Sequence, residues 1–351
     1  MKIIAIETSC DETAAAVIEI TDDRITVLSN IISSQIALHE QYGGVVPALA
    51  AREHVANIGP VYEAALKEAG ITDVASQLDA IAVTRGPGLG PALLVGITFA
   101  RTLAWKLQKP LIGVDHMDGH VHSNWLSGEN LDTTAFPALN LIVSGGHTDI
   151  MLMKTHGDYQ LIGETVDDAV GEAFDKVARL IGLAYPGGPK VSKLALSGNP
   201  HAYPLPRPML ASKNFDFSYS GLKTAVLYLI RDLTGGTREL TDTEKADIAA
   251  SFQEAAVDVL IQKTKRAAVE LGVTSIMLSG GVSANSLLRE RLTALCAELG
   301  IRCVLPEMKY TTDNAAMIAA AAYFAWRNKP TPWKWEDCQM DANLRLGHNT
   351  F

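Results

Sequence analysis

Cysteine is scarce and badly spaced for metal or disulfide work. Cys10, Cys296, Cys303 and Cys338 make no C-x-x-C pair and no dense framework, so reduced thiols are expected. No apolar run reaches the length of a membrane span. Residues 1–7 lack a signal peptide's apolar region and cleavage site, so a cytoplasmic protein without a membrane anchor is expected. Positive charge is in deficit, with a formal net charge of −9. A protein that grips nucleic acid alone is usually basic, so contact with RNA requires a local basic face or a partner subunit to supply the electrostatics. Three common signatures are missing as well. There is no G-x-G-x-x-G after the first strand and no G-x-x-x-x-G-K-[ST]; H-E-x-x-H fails because Met117 follows His116.

What is present is an alternation of strands and helices in a chain of 351 residues, 48% hydrophobic, enough for two domains or one large α/β domain. Strands are predicted at 2–7, 14–20, 24–32, 78–84 and 110–115, with helical spacing over 47–70 and 92–107. The second half repeats the order, with strands at 138–144, 148–154, 159–163, 275–279 and 302–305. Its helices are predicted over 169–182, 244–271 and from about 286 to 300, and an alanine-rich helix covers 315–327. A Pro-, Gly- and Ser-rich insert runs from 185 to about 243. The repeat lies in the order of elements, not in residue identity. It predicts two related lobes facing each other across a cleft, with 1–117 plus 304–351 as the first lobe and 118–303 as the second. The tail from 330 on, with Trp333 and Trp335, is expected to pack back on a lobe.

The stretch Asp115-His116-Met117-Asp118-Gly119-His120 leaves a predicted strand with two histidines four residues apart. On a helix they share a face and can bind one metal if a third ligand arrives. His122 is close enough to compete, and Gly119 weakens a regular helix. If the halves correspond, the loop after the last strand of the second half carries that third ligand, Asp313, and a His-His-Asp set suits Fe or Zn. Two glycine turns, Ser144-Gly145-Gly146-His147 and Ser279-Gly280-Gly281-Val282-Ser283-Ala284-Asn285, sit at matching places and suggest a bound nucleotide. Hairpin and helix-capping roles explain each of them singly. Asp168, Glu172 and Asp175 lie along one helix face, where a ribose contact is the sharper reading. Asp11, in the first turn, is a candidate general base or a turn-forming Asp. Basic residues that include Lys213, Lys263 and Arg266, interleaved with Phe215, Phe217 and Tyr219, have the composition of a single-stranded nucleic-acid surface or of a solvated face.

These motifs in series resemble the bacterial tRNA threonylcarbamoyladenosine transferase family, once named as a glycoprotease. The resemblance is carried by Glu7-Thr8-Ser9-Cys10-Asp11-Glu12-Thr13, Arg85-Gly86-Pro87-Gly88, the histidine pair, both glycine turns, Gly171-Glu172-Ala173-Phe174-Asp175-Lys176 and Tyr185-Pro186-Gly187-Gly188-Pro189. It implies a two-lobed fold of the actin/Hsp70/sugar-kinase type with duplicated ribonuclease-H-like lobes. It also implies transfer of a threonylcarbamoyl group from threonylcarbamoyl-AMP to N6 of adenosine 37, in tRNAs that read codons beginning with A. His116, His120 and Asp313 are then the ligands of one divalent metal ion, Fe(II) ahead of Zn(II). Ile142, Val143, Ser144, Gly145, Gly146, Asp175, Gly188 and Asn285 are the contacts to an adenine nucleotide. A smaller paralogue of the same fold and a P-loop ATPase are the implied partners. Asp118 stands where bacterial relatives more often carry Glu, away from the ligand positions. The competing readings are a small-molecule kinase of the same fold, which the histidine pair disfavours, and a nucleotide-binding scaffold subunit.

Overall fold

A computed structural model describes residues 1–22, 24–127, 135–328 and 334–346, so Trp333 lies outside the described residues. The elements in the first half are β1 (Lys2–Glu7), β2 (Glu12–Thr21), β3 (Arg24–Ser34), α1 (Ile36–Glu40), α2 (Pro47–Glu68), α3 (Val74–Gln77), β4 (Ala80–Gly86), α4 (Gly90–Leu107), β5 (Leu111–Asp115) and α5 (His116–His122). Then come β6 (Ala138–Val143), β7 (Thr148–Thr155), β8 (Asp158–Gly163), α6 (Val170–Leu180), α7 (Gly187–Ala195), α8 (Ser220–Thr234), α9 (Asp242–Leu271), β9 (Ser275–Ser279), α10 (Ser286–Leu299), β10 (Arg302–Val304) and α11 (Ala315–Asn328). Among the described residues no helix is long and apolar enough to cross a membrane.

The two five-stranded sheets run β3-β2-β1-β4-β5 and β10-β9-β6-β7-β8. Taken from its other edge, the second order is the first one again: three antiparallel strands, then two added in parallel. In the first sheet β1 pairs antiparallel with β2 and parallel with β4, which pairs parallel with β5. In the second, β6 pairs antiparallel with β7 and parallel with β9, which pairs parallel with β10. The repeat expected from element order is therefore present in the topology.

The chain divides into two compact units, Met1–Thr134 with Thr155–Tyr159 and Pro306–Phe351, and Ala135–Lys154 with Gln160–Leu305. In the first unit both faces of the sheet are covered. Ile4 and Ile6 of β1, Val17 of β2 and Val83 of β4 pack into a core with Ile58 and Val61 of α2 and Leu93 and Ile97 of α4. The alternate residues Ile3 and Ala5 are equally buried, and α11 lies against β1 and β2. Burial on both faces is why β1 reads as an unbroken apolar run instead of an alternating one. Six of the nine buried residues of helix α11 are alanine, which lets it lie close to the sheet, and α5 is the short helix packed on it. The second unit has its own core, in which Leu139 and Leu141 of β6 and Leu278 of β9 meet Phe174 of α6 and Phe252 of α9.

The insert is not the irregular segment its composition suggests, since it contains α7 and α8. Val191 and Leu222 from these helices join the second core. The tail does fold back. Asp341 N donates to Arg85 O at 2.9 Å and Gly88 N to Ala342 O at 3.2 Å, and Cys338 and Leu344 are buried in the first unit.

Candidate metal centre

Strand β5 delivers α5, and Asp115 caps it: its carboxylate accepts from Met117 N at 2.8 Å and Asp118 N at 3.4 Å. The cap starts the helix at His116, so His116 and His120 fall one turn apart on one face. Gly119 serves that placement. A Cβ there would stand 2.7 Å from Ile318 Cδ1 and 3.2 Å from Met317 Cγ, so glycine lets α5 lie directly on α11. Asp313 lies just before α11. Its neighbour Asn314 is fully buried, accepts from Met317 N at 3.0 Å and donates to Thr312 O at 2.8 Å, which fixes the turn.

These elements bring three side chains together in the first unit. His120 Nε2 is 3.2 Å and His116 Nε2 is 3.5 Å from Asp313 Oδ1. The two imidazole rings stand 4.7 Å apart, nearly perpendicular. One donor atom from each residue lies within 4.8 Å of the others, which makes a group able to hold a metal ion. Donors about 2.1 Å from one zinc-sized ion sit roughly 3.4 Å apart in tetrahedral geometry, so the spacing fits. The donor set of two imidazoles and one carboxylate is that of iron and zinc centres with open positions.

The electrostatics are mutual. Burial disfavours the charged forms of Asp313, Glu7 and His116, but the ion pairs prevail. His116 and His120 hold the Asp313 carboxyl well below the usual carboxylate range. Asp313 and Glu7 in turn hold His116 well above an ordinary imidazole. Burial, together with Asp313 and Asp11, pushes Glu12 well above the usual range, and Glu12 is hydrogen-bonded to Asp11. Asp11 itself is buried in the β1–β2 turn.

His122 does not compete for a metal. Its Nδ1 is 3.0 Å from both Asp118 O and Asp118 Oδ1, and its Nε2 is 3.3 Å from His156 Nδ1. Its ring stacks on Phe324. Asp118 accepts from the Tyr159 hydroxyl at 2.5 Å, so it braces α5 instead of joining the ligands.

The second unit gathers the glycine turns. Gly171 N donates to Ser144 O at 3.3 Å, and Ser144 N and His147 O close the first turn at 2.9 Å. Gly280, at φ 87°, leaves no room for a Cβ against Val143 O. Asp175 Oδ1 accepts from Gly187 N at 2.7 Å and Gly188 N at 3.1 Å; burial raises its carboxyl nonetheless. The Asn285 amide caps α10 by accepting from Leu288 N at 3.0 Å, and donates to Ser192 Oγ at 2.9 Å and Gln253 Oε1 at 2.8 Å. The side chains of Ile142 and Val143 are core residues, so only the end of their strand faces the turn. Asp168 and Glu172 are engaged by Lys176 at 2.7 and 2.8 Å. Gly145, Gly146 and Gly281 have no atom within 4 Å of a would-be Cβ, and Gly188 has only Phe174 Cβ at 3.9 Å. None of the four has a positive φ. The fold sets no steric or backbone demand for glycine at these places.

The interleaved aromatic and basic residues do not form a stacking surface. Phe217 and Tyr219 are fully buried, and buried Lys263 donates to Ser212 Oγ at 2.9 Å. Two functional candidates escaped the sequence reading, Glu7 and Ser9. Both reach His116 Nδ1, at 3.2 and 3.1 Å.

The profile of the tRNA N6-adenosine threonylcarbamoyltransferase family matches residues 26–320. The protein of that name from Symbiobacterium thermophilum is 52% identical over 93% of this chain and 92% of its own. That from Thermosipho africanus is 49% identical over 92% and 94%. Among solved structures, full-length HypF in its phosphate- and nucleotide-bound form shares the fold at a TM-score of 0.59 and 15% identity, over 93% of this chain and 46% of that one. With half the residues shared across nearly the whole length, the chain belongs to the tRNA N6-adenosine threonylcarbamoyltransferase family.

Proposed function

We propose that His116, His120 and Asp313 hold one divalent metal ion per subunit, Fe(II) ahead of Zn(II), at the reaction centre of a tRNA-modifying acyltransferase. The single observation behind this is the convergence of His116 Nε2 and His120 Nε2 on Asp313 Oδ1, at 3.5 and 3.2 Å. The chain transfers a threonylcarbamoyl group to N6 of an adenosine in tRNA, as family membership carries. The finer reading is that threonylcarbamoyl-AMP is the donor and adenosine 37, in tRNAs reading codons that begin with A, is the acceptor. The kinase alternative is not favoured, because relatives at about half identity carry the transferase name.

In this reading N6 attacks the carbonyl of a mixed carbamoyl-phosphate anhydride, the bond from carbonyl carbon to phosphate oxygen breaks, and AMP leaves. A bound divalent ion would supply Lewis acidity and a template for the phosphate or threonyl group. The protein's part is orientation and proton transfer. Ser144, Gly145 and Gly146, the strand end at Ile142 and Val143, and Asp175, Gly188 and Asn285 are proposed to position the adenine nucleotide. The glycines that the fold itself does not require support this. Asp11, held by its hydrogen bond to Glu12, is proposed to accept the proton that N6 must lose. The net charge of −9 supports help from partners in gripping tRNA; the partners proposed are a smaller paralogue of the same fold and a P-loop ATPase, and the place proposed is the cytoplasm.

The test is mass spectrometry of nucleosides from tRNA incubated with threonylcarbamoyl-AMP, this protein and its partners. N6-threonylcarbamoyladenosine is expected with the wild type and is lost with His116→Ala or Asp313→Ala, folding intact. Full turnover by a metal-free preparation would remove the metal from the mechanism.

A further inference from the structure

Glu7 is a carboxylate with 0% exposure at the end of a strand whose residues 3–6 are all apolar. Among the described residues it pairs with no Lys or Arg. Its Oε1 accepts from Ser9 N at 2.5 Å, and its Oε2 from Thr84 Oγ1 and from His116 Nδ1 at 3.2 Å. Burying a charge without a fixed cation is costly, and its one ionisable partner is an imidazole. Strands β1, β4 and β5 lie side by side and parallel, so their carboxyl ends bring Glu7, Thr84 and His116 to the same sheet edge.

The proton on His116 is placed by these neighbours. An ionised Glu7 can only accept, so Nδ1 must donate. Nε2 faces Asp313 Oδ1 at 3.5 Å, another acceptor, so it carries either its own proton, as in the imidazolium, or a cation shared with Asp313. Glu7 keeps the Nδ1–H in both forms, so Nε2 is the nitrogen left for a cation. His120 lacks this support, since its Nδ1 has no hydrogen-bond partner.

We propose that Glu7 is a positioning residue for the metal centre. It takes the Nδ1–H of His116, fixes the ring and the tautomer that ligates through Nε2, and strengthens that imidazole as a donor. The inference rests on the metal reading above. The competing role for Glu7 is purely structural, as a clamp on Ser9 N.

The experiment uses the full-length chain stripped with a chelator and titrated with Zn(II) against a chromophoric competitor, and with Co(II) followed by its visible spectrum. Glu7→Gln keeps size and an acceptor but loses the charge. It is expected to weaken Zn(II) binding about 10- to 100-fold and to shift the Co(II) bands, with the thermal midpoint of the metal-free protein little changed. Equal Zn(II) affinity in Glu7→Gln and wild type overturns the proposal. Absence of stoichiometric binding by the wild type instead overturns the metal reading beneath it. A measurement on the unsubstituted protein guards against misfolding of the variant. In the Zn(II)-loaded protein, histidine ¹⁵N NMR is expected to show His116 protonated at Nδ1 and bound through Nε2. The opposite tautomer also overturns the proposal.

Discussion

Ile318 Cδ1 occupies the space that a side chain at position 119 would need, 2.7 Å from the place of its Cβ. A substitution there acts on packing and on the candidate ligands at once. In Gly119→Ala the helix former should gain about 1 kcal/mol in propensity. Overpacking against a fully buried Ile318 costs about 1–3 kcal/mol, and α11 cannot retreat because its other side lies on the sheet. The variant is expected to unfold at lower denaturant and to bind Zn(II) more weakly. A midpoint above the wild type's would show that α5 is not pressed on α11.

A buried relay sets a pH dependence away from the metal group. His54 Nε2 lies 3.0 Å from Cys10 O, its Nδ1 2.7 Å from Thr13 Oγ1 and 3.3 Å from Gln35 Nε2, and Gln35 Oε1 is 3.1 Å from His39 Nε2. Cys10 O can only accept, so His54 Nε2 carries a proton, and Gln35 Nε2 can only donate, so His54 Nδ1 accepts and the ring is neutral. Burial lowers its pKa below 6.5, against the opposing hydrogen bond to Cys10 O. The unfolded chain therefore takes up this proton first as pH falls. Stability is complete above about pH 6.5 and declines below it toward the lowered folded value, by at most about 1.4 kcal/mol per pH unit for this group. The thermal midpoint from pH 7.5 to 5.5 should fall more steeply for wild type than for His54→Gln, and parallel slopes would refute the assignment.

The thiols should react in a defined order. A hydrogen bond from Cys296 brings the half-buried Cys303 down to about 7, whereas burial pushes Cys338 up to about 11. The thiolate is the reactive form. Iodoacetamide at pH 7.5 followed by peptide mapping is expected to label Cys303 well before Cys338, and the reverse order would contradict this packing.

The tail is held by backbone contacts that a single methyl group can disturb. A Cβ on Gly86 would collide with Asp341 O. Gly86→Ala should unseat 338–344 and expose Cys338, making the tail an early site of limited proteolysis. Unchanged cleavage kinetics would mean that the strap adjusts without strain.

Much of this was legible in the sequence, for physical reasons. Two-sided burial makes residues 3–6 of β1 and 276–278 of β9 continuous apolar runs, and the capping carboxylate of Asp115 together with the i, i+4 histidines announces the helix of candidate ligands. The correspondence of the halves led to Asp313 because equivalent loops leave equivalent strands. What stayed hidden depends on neighbours far along the chain. Nothing local shows that Glu7 lies beside His116, or that Phe217 and Tyr219 are buried instead of available for stacking. Helix α7 opens with Gly187-Gly188-Pro189, residues that read as a loop although proline is tolerated in a first turn. Gly119 looked like a weakness in α5 because its benefit, access to α11, lies outside the helix.

The order of synthesis gives Asp313 a particular standing. Both imidazoles emerge early, and the whole stretch Gln160–Leu305 of the second unit must be made before the carboxylate that completes the trio. A nascent chain stopped short of position 313 has two thirds of the candidate donor set and no closing ligand. Loading with the proposed ion would therefore certify that translation had passed the whole of the second unit.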